Sequence, residues 1–519
     1  MTSRTVVLGA DPAGLTAAYE LAKNDHPVAV VESARAVGGR SRCETYQNCL
    51  IDVGGHRFTT RLPEIQSLWA ALLEEPLVSV PELSRVVYRH RFFDYPLSLT
   101  NALKNIGPGD SALIALSYLK AQTHRSTHEA SAKNWLSERF GAHFQRTFFQ
   151  PYFEKILGLP TCDIDADWVA RKLKGTSLSQ ALAVAAGQRS GEPKADFDYP
   201  ARGPGEVWQR CHRLLTELGT PVYTETRVVK IEHSQGRVNC VKVAAGADNA
   251  KREDDLEARG NVLLADEQLD ARQSNDRPLD EVQTVECDRL ISTLPIAELI
   301  AQLEPPPPAA VRRAAAALKF RSLLSVPLIV DIAEVFPDTQ LHIHSPALKV
   351  GRIQNFKNWS AAMVPNPAQT CLGFEYFCMQ GDDLWAMEDA ALVRLACKEA
   401  IALGFVPNTD AIVGGCVIRH PNAYPLHHQA YYKPLAIVQN YLESFENLQA
   451  AGCRGLHCDV EHDYSALTGY QAARNILGAG ARVPVSSALE TSVQAAHRYQ
   501  DHYRQNGASI LPEEAIRFF

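Results

Sequence analysis

No apolar run in this 519-residue chain approaches the length of about twenty residues that crosses a bilayer as a helix. No Cys-x-x-Cys pair occurs among its 12 cysteines, and Cys453 and Cys458 have no neighbours at zinc-ligand spacing. Neither a metal site nor a disulfide framework is therefore expected, and reduced thiols in a cytoplasmic protein are. Excess positive charge is also missing: 52 Lys and Arg against 59 Asp and Glu leave a net charge of −7, which argues against a general nucleic-acid binder. There is no internal repeat, and the one biased tract is the proline run 305–308. A secretory leader is not expected, because the first apolar run leads directly into a glycine turn.

What is present is an ordinary globular composition, 46% hydrophobic and 21% charged, on a length that can bury a large core in two or more domains. The informative stretch is the first sixty residues. Thr5, Val6, Val7 and Leu8 form a β-branched, apolar run suited to a strand buried on both faces. The turn Gly9-Ala10-Asp11-Pro12-Ala13-Gly14 follows, and beyond it Leu15, Ala18, Tyr19 and Ala22 recur at helical spacing. A second apolar run, 27–31, ends in Glu32, 23 residues after Gly9. Strand, glycine turn, helix, strand and terminal acid make the dinucleotide-binding arrangement, in which helix N-terminal amides meet a pyrophosphate and the carboxylate accepts from a ribose hydroxyl. Val37-Gly38-Gly39-Arg40 then supplies flexible backbone and a guanidinium suited to phosphates, and a second glycine pair, Gly54-Gly55, precedes His56 and Arg57.

On these motifs the sequence resembles the flavin-dependent amine-oxidoreductase superfamily, in particular its bacterial protoporphyrinogen-oxidase-like and UDP-galactopyranose-mutase-like branch. The resemblance runs from residue 5 to about 478. It implies an α/β fold: a Rossmann-like FAD-binding domain of the amine oxidase/glutathione reductase type with a mixed helical and sheet substrate domain. The FAD-binding domain would be discontinuous, built from 1–60, 200–300 and 445–480, with 61–199 and 301–444 forming the substrate domain. Residues 246–283 read as a charged, solvated insertion and 481–519 as a C-terminal tail.

The same resemblance implies FAD as cofactor and a small-molecule substrate, and leaves oligomeric state open. Carried over by position, the cofactor contacts are Gly9, Asp11, Ala13, Gly14, Glu32, Gly39, Arg40, Gly55, His56, Val229 (backbone to adenine), Gly452, Asp463, Ser465 and Leu467. His56, Arg57, Arg352 and Tyr424 are the catalytic candidates, and Asn355, Lys357, Tyr376 and Arg419 are further cavity candidates. The expected reaction is hydride removal from a C–N or C–C bond, with a flavin supplying the redox chemistry. The alternative is a non-redox enzyme on the same fold: a nucleotide-sugar mutase-type isomerase using reduced flavin, with Arg352 and Arg419 on the diphosphate, or a repurposed enzyme that has lost flavin.

The chain departs from the family pattern in two places. In the closing flavin loop Gly452, Gly455, His457, Asp463 and Ser465 match, whereas the family's Asn-Asn-Gln run is lost. In the first turn, Asp11 stands where a middle glycine lets backbone approach the pyrophosphate. A carboxylate about 4 Å from a phosphate repels it by roughly 4 kcal/mol at an effective dielectric near 20. Weak FAD binding is therefore expected, unless Asp11 points to solvent, is protonated or is bridged by a cation; the remaining reading is that no dinucleotide binds.

Overall fold

A computed structural model of the chain describes residues 4–55, 57–95, 99–123, 131–173, 196–245, 282–478 and 483–486. At its centre is a five-stranded parallel sheet in the order Leu448–Ala450, Arg289–Ser292, Thr5–Leu8, Val28–Val31, Val222–Tyr223. Strands far apart in sequence are thus neighbours, Val7 lying opposite both Ile291 and Val30. The continuous apolar run of the first strand follows from this position, since both faces of the sheet are covered. Val7, Val30 and Ile291 pack on one face with the helix Pro12–Ala22 and the C-terminal helix His462–Leu477. Val6, Leu8, Val31 and Leu290 pack on the other with the helices Ile296–Gln302 and Ala309–Ala317.

Beside it, Gln283–Glu286, Arg237–Ala245, Thr226–Ser234 and Leu303–Glu304 make a four-stranded sheet. The expected charged insertion connects two of its antiparallel strands, Val243 pairing with Gln283. Gln283 itself belongs to a strand, and residues 246–281 lie outside the described residues, as do 487–519 of the expected tail.

The third layer is an eight-stranded sheet around Phe320–Val330, which is buried along its whole length. It pairs with Thr370–Cys378, and onward come Arg352–Asn355, Gln340–Ile343 and the hairpin Ser84–Tyr88/Arg91–Asp94. On its other edge the sequence suggests one strand near 416–419, whereas the structure has two, Ile412–Gly415 and Ile418–Pro425. The break faces Pro327, whose carbonyl accepts from the Cys416 amide at 3.3 Å but which has no N–H to return. Helix Asp389–Ala402 covers one sheet face. A helical block, including Ala132–Phe140, Gln150–Leu157 and Ala166–Lys172, stands at the other end, its aromatics Trp135, Phe144, Phe148, Phe153 and Trp168 forming a core of their own.

Candidate functional site

The glycines of the first turn are fixed by close approach. Gly9 has φ +100°, and a Cβ there would lie 2.1 Å from Thr293 Oγ1; one on Gly14 would lie 1.9 Å from the Gly9 carbonyl oxygen. Against this turn the C-terminal helix presses so tightly that a Cβ on Gly469 would meet the Ala13 carbonyl at 1.9 Å. Leu467, on the same helix, packs into the apolar core, and Ser465 is buried beside it.

Asp11 does not point to solvent. It is the N-cap of the helix Pro12–Ala22, only 6% exposed, with Oδ1 accepting from the Gly14 amide at 3.0 Å. Its other oxygen lies 4.0 Å from Arg454 Nη2. Burial pushes its carboxyl pKa up, opposed by Arg454 and the Gly14 amide. Gly39 and Gly452 face it from two sides: a Cβ on Gly39 would sit 2.8 Å from Asp11 Cβ, and one on Gly452 3.3 Å from Oδ2. Glu32 is turned toward the same segment, accepting from the Ala10 amide at 2.6 Å and from its own loop at Ala34, 2.9 Å. Val229 lies further along the strand that Glu32 joins through Thr226, 37% exposed, where the register shifts between Val228 and Lys230.

A second set of candidates converges. The Arg40 guanidinium lies 4.4 Å from the centre of the Tyr424 ring, and Nη2 is 3.9 Å from Cys453 Sγ. Arg352 Nη2 donates to the Tyr424 hydroxyl at 3.3 Å and to the Gly54 carbonyl at 3.5 Å, while Nε pairs with Glu375. Arg352 and Glu375 are direct cross-strand partners. Burial alone would lower the Arg352 pKa; Glu375 and Tyr424 outweigh it, so the guanidinium stays charged. Gly55, φ +59°, packs on the same face, where a Cβ would lie 2.1 Å from Gln354 Nε2. Arg57 forms an ion pair with Glu82 at 2.7 Å and lies over Phe197. His56 lies outside the described residues.

Sequence reasoning missed the neighbours of Arg352. His342, its cross-strand partner on the other side, has Nδ1 2.8 Å from the Tyr152 hydroxyl and Nε2 3.0 Å from the Gln340 amide. Burial, with Arg352 and Arg57 nearby, pushes its pKa down to about 3, so it is neutral. Tyr95 stands 4.7 Å away, ring to ring. These contacts depend on strand register, which no local motif encodes.

The other four cavity candidates are engaged by other partners. Asn355 donates to the Phe336 carbonyl, Lys357 to three backbone carbonyls, Tyr376 to Glu399, and Arg419 pairs with Asp389. Strand alternation is the reason for two of them: Asn355 and Tyr376 are odd steps from Arg352 and Glu375 and so face away from them.

A cationic group surrounds the glycine segment. Arg42, paired with Glu44, donates to the Gly39 carbonyl at 3.1 Å and lies 3.3 Å from His420 Nδ1. His420 is 6% exposed, and its Nε2 has no hydrogen-bond partner among the described residues. Burial, with Arg42, Arg454 and Arg40 close by, holds its pKa well below the ordinary value. An orphaned buried nitrogen among three guanidiniums suits an anionic group, which the pyrophosphate of a flavin dinucleotide would be. In the closing loop Gly452, φ +77°, donates to Thr468 Oγ1 at 2.8 Å. Asp463 accepts from the Tyr464 amide at 2.8 Å, and burial pushes its pKa up to about 6.

The model of the family described as flavin containing amine oxidoreductase matches residues 12–477. The chain belongs to this family. It is therefore a member of a family of flavin enzymes. A solved structure of reduced UDP-galactopyranose mutase is 17% identical, with 94% of this chain and 99% of that one covered at a TM-score of 0.75. An Exiguobacterium sp. 255-15 protein assigned as a protoporphyrinogen oxidase is 16% identical over 92% and 99% of the two chains, TM-score 0.66. Wild-type putrescine oxidase bound to putrescine is 16% identical over 92% and 99%, TM-score 0.56. At these identities the likeness is one of fold, which oxidases and a mutase share. No curated protein matches the sequence. Among the described residues no helix is long and apolar enough to cross a membrane, and no group of His, Cys, Asp or Glu is placed to hold a metal ion.

Proposed function

We propose that this family member is an FAD-dependent oxidoreductase that removes a hydride from a C–N or C–C bond of a small-molecule substrate. The FAD-binding domain is assigned to 1–60, 200–300 and 445–480, and the substrate domain to 61–199 and 301–444. The observation that carries the reading is the Arg40–Tyr424–Arg352–Gly54 chain of contacts, which joins both glycine segments to the eight-stranded sheet. A flavin held there would be reached by a substrate lying on the Tyr152, His342 and Tyr424 side of the sheet.

Gly9, Gly14, Gly39, Arg40, Arg42, Arg454 and Gly452 would hold the pyrophosphate, and Glu32 the adenosine ribose. Bound flavin supplies the two-electron acceptor. Tyr95, Tyr152 and Tyr424 offer aromatic walls that orient a substrate and exclude water. His342, with a pKa near 3, works as a neutral hydrogen-bonding group rather than as a base near pH 7. A mutase-type reading wants two arginines on a diphosphate. Against it weighs the pairing of each, Arg352 with Glu375 and Arg419 with Asp389.

The test is anaerobic mixing of the FAD-reconstituted protein with a panel of primary and secondary amines and of small molecules oxidisable at a C–C bond. Loss of the oxidised-flavin absorption supports the oxidoreductase. Isomerisation of a nucleotide sugar by the reduced protein, without net redox change, supports the mutase type instead.

A further inference from the structure

In the first turn the carboxylate of Asp11 already satisfies the helix N-terminal amide that a pyrophosphate would seek. It accepts from Gly14 at 3.0 Å and lies 4.0 Å from Arg454. Gly39 and Gly452 close over it so tightly that no second anion shares the space: even a Cβ on either would come within 2.8 Å or 3.3 Å of Asp11 atoms. The remaining anion-binding groups are not consumed by it. His420 Nε2 is buried with no partner among the described residues, and Arg40 and the Glu44-paired Arg42 lie beside it. The site therefore has more donors than its internal carboxylate uses.

We propose that Asp11 is a built-in occupant of the pyrophosphate seat, and that FAD binds only as this carboxylate gives up the helix N-terminus and Arg454. The proposal rests on the FAD reading above. FAD binding then becomes an exchange of one anion for another, in which Arg454 and the Gly14 amide change partners and His420 gains one. Neutralising Asp11 assists the exchange, because the proton removes the charge that opposes the phosphates. The charged groups facing Asp11 are Arg454 from the helix Gly452–Gly455 and Glu32 from the end of the second strand, with the Thr293 hydroxyl donating to Asp11. Glu298, on the helix Ile296–Gln302, faces Arg454 in turn. Burial raises the Asp11 carboxyl pKa, so its proton is available to the exchange at milder acidity than in an exposed aspartate. As a one-proton linkage, FAD affinity rises by at most tenfold for each pH unit of acidification until Asp11 titrates.

The test is titration of flavin-stripped full-length protein with FAD between pH 5 and pH 8, followed by quenching of flavin fluorescence. FMN, which lacks the pyrophosphate and adenosine, is the control ligand. Asp11→Asn keeps a capping side chain and Asp11→Gly removes it, so at least the first retains the fold. The expected result is FAD binding at least tenfold tighter in Asp11→Asn at neutral pH, tighter still in a folded Asp11→Gly, and flat with pH in both. Wild type tightens on acidification, and FMN affinity is the same in all three. Equal, pH-independent FAD affinity in wild type and Asp11→Asn overturns the proposal while leaving the FAD reading standing. An equal gain for FMN also overturns it. Failure of all three proteins to bind FAD overturns the FAD reading itself.

Discussion

Glu375→Gln tests the contact on which the proposed substrate side of the site depends. Glu375 is 1% exposed and pairs with Arg352, whose side chain is 16% exposed. Gln354 also donates to Glu375, at 3.3 Å. The substitution removes the charge and leaves a largely buried guanidinium uncompensated, a loss of about 3–5 kcal/mol for breaking one side of a buried pair. Arg352 is then left with the neutral acceptors Tyr424 and Gly54. Replacing both partners, Arg352→Met with Glu375→Leu, removes the uncompensated charge as well as the pair. That double variant should recover most of the loss, because a buried ion pair and a well-packed apolar pair of similar volume are near break-even. Urea unfolding followed by tryptophan fluorescence is a suitable assay, since Trp359 donates to Gln354 at 3.0 Å within the same network. The double-mutant cycle gives the coupling directly. A loss under about 1 kcal/mol in Glu375→Gln, the range of an exposed pair, would refute the reasoning. So would a double variant no more stable than the single one.

Three further substitutions have distinct expected outcomes. Glu32→Ala should destabilise the flavin-free protein by about 1.5–3 kcal/mol for each charge-assisted amide bond lost, at Ala10 and Ala34, as well as weakening FAD; unchanged unfolding of the flavin-free variant would contradict the geometry. Asp463, with its pKa raised from 3.8 to about 6, holds a proton in the folded state that the unfolded chain releases. Stability must then fall by about 3 kcal/mol as pH rises from about 4 to about 7, and the wild-type minus Asp463→Asn difference should show that slope in pH-dependent urea titrations. Tyr424→Phe keeps the ring under Arg40 but loses the long 3.3 Å hydrogen bond from Arg352 and should cost about 0.5–1.5 kcal/mol, whereas Tyr424→Leu loses the cation–π contact too and should cost about 0.5–2 kcal/mol more by thermal unfolding with calorimetry.

The first sixty residues were the most legible part of the chain because their signals are local. A β-branched run, glycines at fixed offsets and a terminal acid each have a short-range physical reason, and the parallel sheet with its glycine turn follows them. Family-matching segments also placed Arg352 and Tyr424, which the fold brings together although 72 residues separate them. What stayed hidden depends on strand register and face. Glu375 and His342 meet Arg352 only because three strands align, and Asn355 and Tyr376 face away for the same reason. The direction of Asp11 was equally hidden: aspartate caps helices as readily as it meets solvent, and only the closing glycines Gly39 and Gly452 decide which. The orphaned His420 Nε2 gave no signal, since burial is a property of the folded strand Ile418–Pro425.

The central claim is that this chain works with FAD held by its glycine segments. The most direct measurement is equilibrium binding of FAD to the full-length protein, with the visible spectrum of the complex recorded before and after addition of candidate substrates oxidisable at a C–N or C–C bond under anaerobic conditions. Saturable binding at one site per chain is expected, strengthened by Asp11→Asn, with a bound flavin that a substrate oxidised at a C–N or C–C bond reduces. FAD that remains free in solution with both wild type and Asp11→Asn would contradict it.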